Sequence, residues 1–307
     1  RKANSSGTRT RPVSRKHPHH TAEVRMIIDF HTHTFPAKIA HSVIAHLQSK
    51  SRSMAFTDAT NDGLRRSMDN AGIDLSILLP VMTNTHQVPK LNEIAARTNE
   101  HWEETGLLSF GGMHPEYTNY KEELRHIADM GIKGIKLHPA YQGYDFDDIR
   151  YMRIIDKAAE LGLIVLTHAG MDIGIPEHNY CSTAHIRHVM QEVGPDKLVL
   201  AHMGGWQGWR DVANNLADFP VYFDTAFSMG DILPAPNTTR AEEESHNMNK
   251  QQFAFLAHTL GTDKLLFATD CPWSSQSESL AFLRDCEFTE QELADILGNN
   301  AQKLLKL

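Results

Sequence analysis

Eight short apolar runs punctuate the chain: "MIIDF" (26–30), "LSILLPV" (75–81), "LLSFGGM" (107–113), "IKGIKL" (132–137), "LIVLTH" (163–168), "KLVLAH" (197–202), "VYFDTA" (221–226) and "KLLFAT" (264–269). Their apolar character is nearly continuous rather than alternating, which is what a strand buried on both faces of a parallel sheet requires. Helical patterns lie between them. "KEELRHIADMG" (121–131) and "YMRIIDKAAELG" (151–162) repeat apolar residues every three or four positions and end in Gly, a residue suited to the left-handed turn that closes a helix. "STAHIRHVMQEVG" (182–194) follows the same plan, with Ser182 and Thr183 available as N-caps. Strand and helix alternating eight times predict an α/β fold, a closed (β/α)8 TIM barrel forming a single domain over 26–307; a doubly wound open sheet is the alternative.

Active sites of such barrels lie at the C-terminal ends of the strands. Here those ends carry His31 and His33 after the first run, then His114, His138, His168 and His202, with Asp224 in the seventh and Asp270 after the eighth. His31 and His33 are two apart, so in an extended strand they project from one face. A single histidine at a strand end is commonplace; six directed to one rim point to a metal.

Four of these segments, "DFHTH", "LTHAG", "LAHMGGW" and "FATDCPW", fall on the first, fifth, sixth and eighth strands. In that order they resemble the amidohydrolase superfamily, and most closely its amidohydrolase-2 group, which includes aminocarboxymuconate-semialdehyde decarboxylase and other non-oxidative decarboxylases. The resemblance covers Met26 to Leu307. It implies one divalent metal held by His31, His33, His168 and Asp270, with His202 as a catalytic histidine beside it and Asp270 doubling as proton shuttle. Three imidazoles and a carboxylate favour zinc, with manganese, iron or cobalt as alternatives, and no organic cofactor. A metal-bound water at an open position would be the reagent.

The fourth run departs from the familiar pattern. Lys136 and His138 share one face there, and with Tyr141 they are expected to meet an anionic group of the substrate; an internal ion pair or a carbamylated Lys136 bridging two metals are the alternatives. Trp206, Trp209, Arg210 and Trp273 follow catalytic strand ends and are expected to stack on or pair with a planar carboxylated compound, Trp206 being the first candidate. The expected activity is hydrolysis of a small molecule, with non-oxidative decarboxylation of a small carboxylic acid as the alternative. A metal-dependent nuclease of the TatD kind would carry Glu at the fourth strand, and a catalytically silent barrel would not need the whole ligand set. Pairing into a homodimer is implied by the family, although no segment identifies an interface.

Composition narrows the setting. Residues 1–25 hold seven basic residues and one acidic residue without apolar periodicity, so a disordered extension is expected, whether a tag, an upstream sequence or a targeting segment. Without them the counts fall from 30 basic and 38 acidic to 23 and 37, a net charge of −14, which repels phosphate backbones and argues against nucleic-acid binding. No apolar run approaches a membrane span, and Cys181, Cys271 and Cys286 are too few and scattered for a disulfide framework, so a cytoplasmic setting is expected. Deletion of residues 1–25 should leave the melting temperature and the activity unchanged; a loss of several degrees in thermal unfolding would show that the segment packs on the barrel.

Overall fold

A computed structural model describes residues 26–307; the expected extension 1–25 lies outside the described residues. All eight apolar runs become strands, in nine pieces: β1 (Ile28–Thr32), β2 (Leu75–Leu78), β3 (Leu107–Ser109), β4 (Gly111–Gly112), β5 (Gly134–Leu137), β6 (Ile164–Thr167), β7 (Leu198–Leu200), β8 (Tyr222–Asp224) and β9 (Leu265–Leu266). β1–β2–β3 form one parallel sheet, and β4 through β9 form a second in chain order. Together they make one barrel. β3 and β4 are halves of a single stave joined at Phe110, whose N–H donates to Leu78 O at 2.9 Å. At the far edges Phe30 N donates to Phe267 O at 2.8 Å and Thr32 pairs with Cys271, which closes the ring and excludes the open sheet.

The break in the third stave has a local cause. Asn99 and Asn92, on the helix Gln87–Asn99, take over hydrogen bonds that neighbouring strands would otherwise make. Asn99 Oδ1 accepts from Ser109 N at 2.6 Å, and Asn92 Oδ1 accepts from Gly112 N at 2.9 Å. Glycines allow this approach, because a Cβ on Gly111 would lie 2.7 Å from Asn92 Oδ1. The three predicted helices form over Tyr120–Asp129, Ile149–Glu160 and Thr183–Glu192, the last with Ser182 accepting from His185 N as its cap and Thr183 as its first residue. No helix among the described residues is long and apolar enough to cross a membrane.

Strand alternation sorts the side chains into two layers. Ile28, Phe30, Ile164, Leu166, Val199, Leu266 and Ala268 fill the barrel, whereas Val165, Leu198, Leu200, Leu265 and Phe267 pack outward on the helices. The same alternation turns Lys136, His168 and Asp270 inward. It fails at β1, where Ile28 and Phe30 point inward and strict alternation would send His31 and His33 outward with Asp29. A β-bulge between Asp29 and Thr32, opposite Ser76–Leu78, inserts one residue and resets the phase. It fails again after β7: Ala201 points inward, and His202 follows it back only because His202 and Met203 adopt φ of 59° and 54°.

Asp29, left on the outer face by that bulge, ties the closing edge. Its oxygens accept from Thr269 N (3.0 Å), Thr269 Oγ1 (2.5 Å), Gln276 Nε2 (2.8 Å) and His31 N (3.3 Å). Burial pushes its carboxyl up to about 6 while these donors pull it down. Asp29→Ala leaves the donors of Thr269 and Gln276 without an acceptor, at a cost of about 3 kcal/mol, and should lower the melting temperature by on the order of 10 °C. An unchanged transition in thermal unfolding would show that the closure does not depend on this carboxylate.

Candidate metal centre

The C-terminal strand ends open into a cavity of about 360 Å³. His31, His33, Lys136, His138, His168, His202 and Asp270 line it together with Tyr141, Trp206 and Trp273, whereas Trp209, whose indole N–H donates to His202 O at 3.0 Å, and Arg210 do not. His114 does not. Its ring folds back onto its own turn, where Nδ1 accepts from Glu116 N at 3.3 Å, so five of the six strand-end histidines converge.

Hydrogen bonds to oxygen set which ring nitrogens are free. His33 Nδ1 lies 2.8 Å from Leu79 O, and a carbonyl only accepts, so this nitrogen carries the proton and Nε2 holds a lone pair. His31 Nδ1 donates to Asp224 Oδ2 at 2.7 Å, which likewise frees its Nε2. The two free nitrogens face each other at 3.1 Å, and Asp270 Oδ1 lies 3.2 Å from the His33 one and 3.6 Å from the His31 one. Two lone pairs at that separation repel unless a positive centre lies between them. Burial holds His31 well below the ordinary imidazole pKa, so His31 does not itself supply that positive charge as a proton at neutral pH. Two imidazoles and a carboxylate, each imidazole with its other nitrogen against an oxygen, fit a divalent transition metal.

A second pair of the same kind lies alongside. His202 Nδ1 donates to Ala226 O at 2.9 Å and His168 Nε2 donates to Met171 O at 3.2 Å. Their remaining nitrogens, His202 Nε2 and His168 Nδ1, face each other at 3.0 Å. Burial pushes His202 down to about 4 and His168 well below its usual range. The four-residue set implied by the resemblance is therefore arranged as three plus one: His31, His33 and Asp270 surround one point, and His168 faces His202. The His31 and His202 rings are 5.4 Å apart between centroids, so the two pairs adjoin.

Lys136 lies on the cavity floor with Nζ 3.2 Å from His31 Nε2. Burial lowers its pKa to about 8 against the opposing pull of Asp224 and Asp270, and burial raises Asp224 to about 7. His138 stacks on His168 at 4.4 Å, and Tyr141 meets the His138 ring edge-on at 4.3 Å. His138 Nδ1 accepts from Tyr141 N, so its Nε2–H points to Asp172 Oδ2 at 3.8 Å, and the His168 Nε2–H approaches the same oxygen at 3.9 Å. His138, His168 and Asp172 are near enough to surround an ion, but the two ring nitrogens that face the carboxylate carry protons and so offer no lone pair there, and at 3.8 and 3.9 Å they lie beyond hydrogen-bond distance of it. Trp206 donates its indole N–H to Asn247 Oδ1 at 2.9 Å and presents only its ring to the cavity.

Two functional carboxylates were not singled out by sequence reasoning. Asp224 was visible only as a strand-end residue, and Asp172 lies in a loop with no local signal. Asp224 Oδ1 accepts from His202 N (2.9 Å) and Ala226 N (3.1 Å) while Oδ2 takes the His31 proton. In Asp224→Asn the amide oxygen keeps the two backbone donors, so its NH2 group faces His31 Nδ1 and moves the imidazole proton to Nε2. Metal affinity should fall by about 10- to 100-fold in a competitive chelator titration; unaltered affinity would show that this carboxylate does not set the tautomer.

Comparison with known proteins agrees with the barrel fold. A short stretch of 49 residues, 16% of this chain, is 43% identical to a D-hydantoinase of Rhizobium radiobacter, of which it spans only 11%. Solved structures of similar fold include a dihydroxybenzoic acid decarboxylase from Polaromonas sp. JS666 with bound manganese and 2-nitroresorcinol (16% identity, TM-score 0.66, 92% of this chain and 97% of that one). Others are the 5-carboxyvanillate decarboxylase of Sphingomonas paucimobilis (15%, 0.62, 92% and 99%) and a TIM-barrel protein from Bordetella bronchiseptica (17%, 0.69, 91% and 98%). The amidohydrolase family profile matches residues 28–307, from β1 to the C-terminal helix, and the chain belongs to that family.

Proposed function

We propose that this protein is a metal-dependent hydrolase that cleaves an ester, lactone or amide bond of a small molecule. The carrying observation is the pair of neutral imidazole lone pairs of His31 and His33, facing each other at 3.1 Å with Asp270 beside them. These three residues would hold the divalent ion, zinc being our assignment. When bound, such an ion polarises a carbonyl oxygen and lowers the pKa of water at neutral pH. Asp270 accepts the proton of the attacking water and delivers it to the leaving oxygen or nitrogen as the C–O or C–N bond breaks. His202, held neutral and turned into the site by its backbone, orients that water. Lys136, His138 and Tyr141 would contact substrate oxygens, and Trp206 would form a wall. Three buried, unpaired cysteines suit a reducing compartment, and we assign the protein to the cytoplasm.

Lys136 favours a second reading. An ammonium at the floor of the site suits a substrate carboxylate, as a carboxy-lyase would need, and four of the structures similar in fold are named as decarboxylases. Metal analysis followed by parallel assays of lactones, amides and aromatic or unsaturated acids, with carbon dioxide detection, separates the two: carbon dioxide release without hydrolysis overturns our assignment.

His202→Ala should keep one metal per chain and slow turnover by about 100- to 10,000-fold, the range for losing a general acid or base. Loss of metal to the extent seen in His33→Ala would show that the second pair of lone pairs, His202 Nε2 and His168 Nδ1, also holds an ion. The site would then be binuclear, with Lys136 as the candidate bridge.

A further inference from the structure

The helix Ala37–Ser51 carries two apolar stripes. Ala40 and Ile44 are buried. Ile39, Val43 and Leu47, also four apart, form a separate stripe that lines the cavity. This second stripe stays accessible: Ile39 is 46% exposed, and Val43 and Leu47 are half-buried. Met171, Ile173, Phe227 and Trp273 also line the cavity. Among the described residues its charged groups other than histidine are Lys136, Asp172 and Asp270, with no arginine. The helix is held in place at its C-terminal end, where Met54 N donates to Leu233 O and Ala235 N donates to Arg52 O at 2.8 and 3.0 Å, so the stripe is presented on a fixed element.

We infer that the substrate carries an apolar acyl or aryl group, which lies along Ile39, Val43 and Leu47 while its reacting carbonyl reaches the histidine floor. An apolar stripe bordering a polar floor separates a ligand into an uncharged body and one polar head. The position of the head rests on the proposed function; the apolar arm does not.

Two titrations test it. n-Alkyl hydroxamates from acetyl to octanoyl, titrated calorimetrically into the metal-loaded protein, should bind about 3- to 4-fold more tightly per added methylene. n-Alkanols from butanol to octanol, titrated into metal-free protein, should show the same increment without a metal-binding head. Val43→Asp should flatten both series, and Ile39→Asp, at a more exposed position, should do so even where the first variant folds poorly. Increments near onefold per methylene, or increments that both variants leave intact, overturn the inference. Hydroxamates that fail to bind while the alkanols keep their increment remove the metal reading and support the arm. A flat series in a dimer that Ile39→Asp splits, seen by light scattering, would give the stripe to a second copy of the chain and overturn the inference.

Discussion

Asp224 is the electrostatic pivot of the barrel mouth. One of its oxygens takes the Nδ1 proton of His31, and the other holds the backbone of His202 and Ala226. A single buried carboxylate thereby decides which nitrogen of His31 is free and where the sixth-strand histidine begins. Leu79, Ala226 and Met171 do the same for His33, His202 and His168 through their carbonyls. Desolvation then matters as much as geometry. Burial disfavours the charged form of His31, His168 and His202 and leaves them lone pairs that a cation or a hydrogen-bond donor can satisfy. The ammonium of Lys136 already donates to one of them.

Backbone strain is concentrated at the same place. His202, Met203 and Asp270 all have φ between 54° and 66°, a region costly for residues with a Cβ, on the order of 1–3 kcal/mol each. Parallel strands bonded on both sides supply the rigidity that holds such conformations. The bulge in β1 and the turn at His202 and Met203 bring His31, His33 and His202 to the floor on which strand alternation already places Asp270. The apolar stripe of the helix Ala37–Ser51 adds a wall of opposite character, so a rigid polar pole and an apolar arm share one cavity.

Much of this was legible in the chain. The eight strands, their parallel order and the barrel follow from apolar runs and helical periodicity, because burial on both faces leaves a continuous hydrophobic signature that no other local structure imitates as often. The strand-end positions of His31, His33, His168, His202 and Asp270 were equally visible, since a barrel of known strand count fixes which end carries chemistry. Side-chain direction was partly legible: period-two alternation places Lys136, His168 and Asp270 inward.

The direction of His31 and His202 was not. A bulge and two left-handed residues break the alternation there, and both depend on what the opposing strand and Asp224 offer to bond with, which no local window contains. The same limit explains His114, whose strand-end position placed it on the rim with the other histidines although its ring turns back to accept from Glu116 N, and Asp172, which a loop carries to His138 and His168. Sequence by itself determined which side chains the barrel mouth could have, because strand and helix periods are properties of short segments. Tertiary structure alone decided which ring nitrogens are free and how the ligands group, because tautomer and desolvation depend on partners brought together from separate strands.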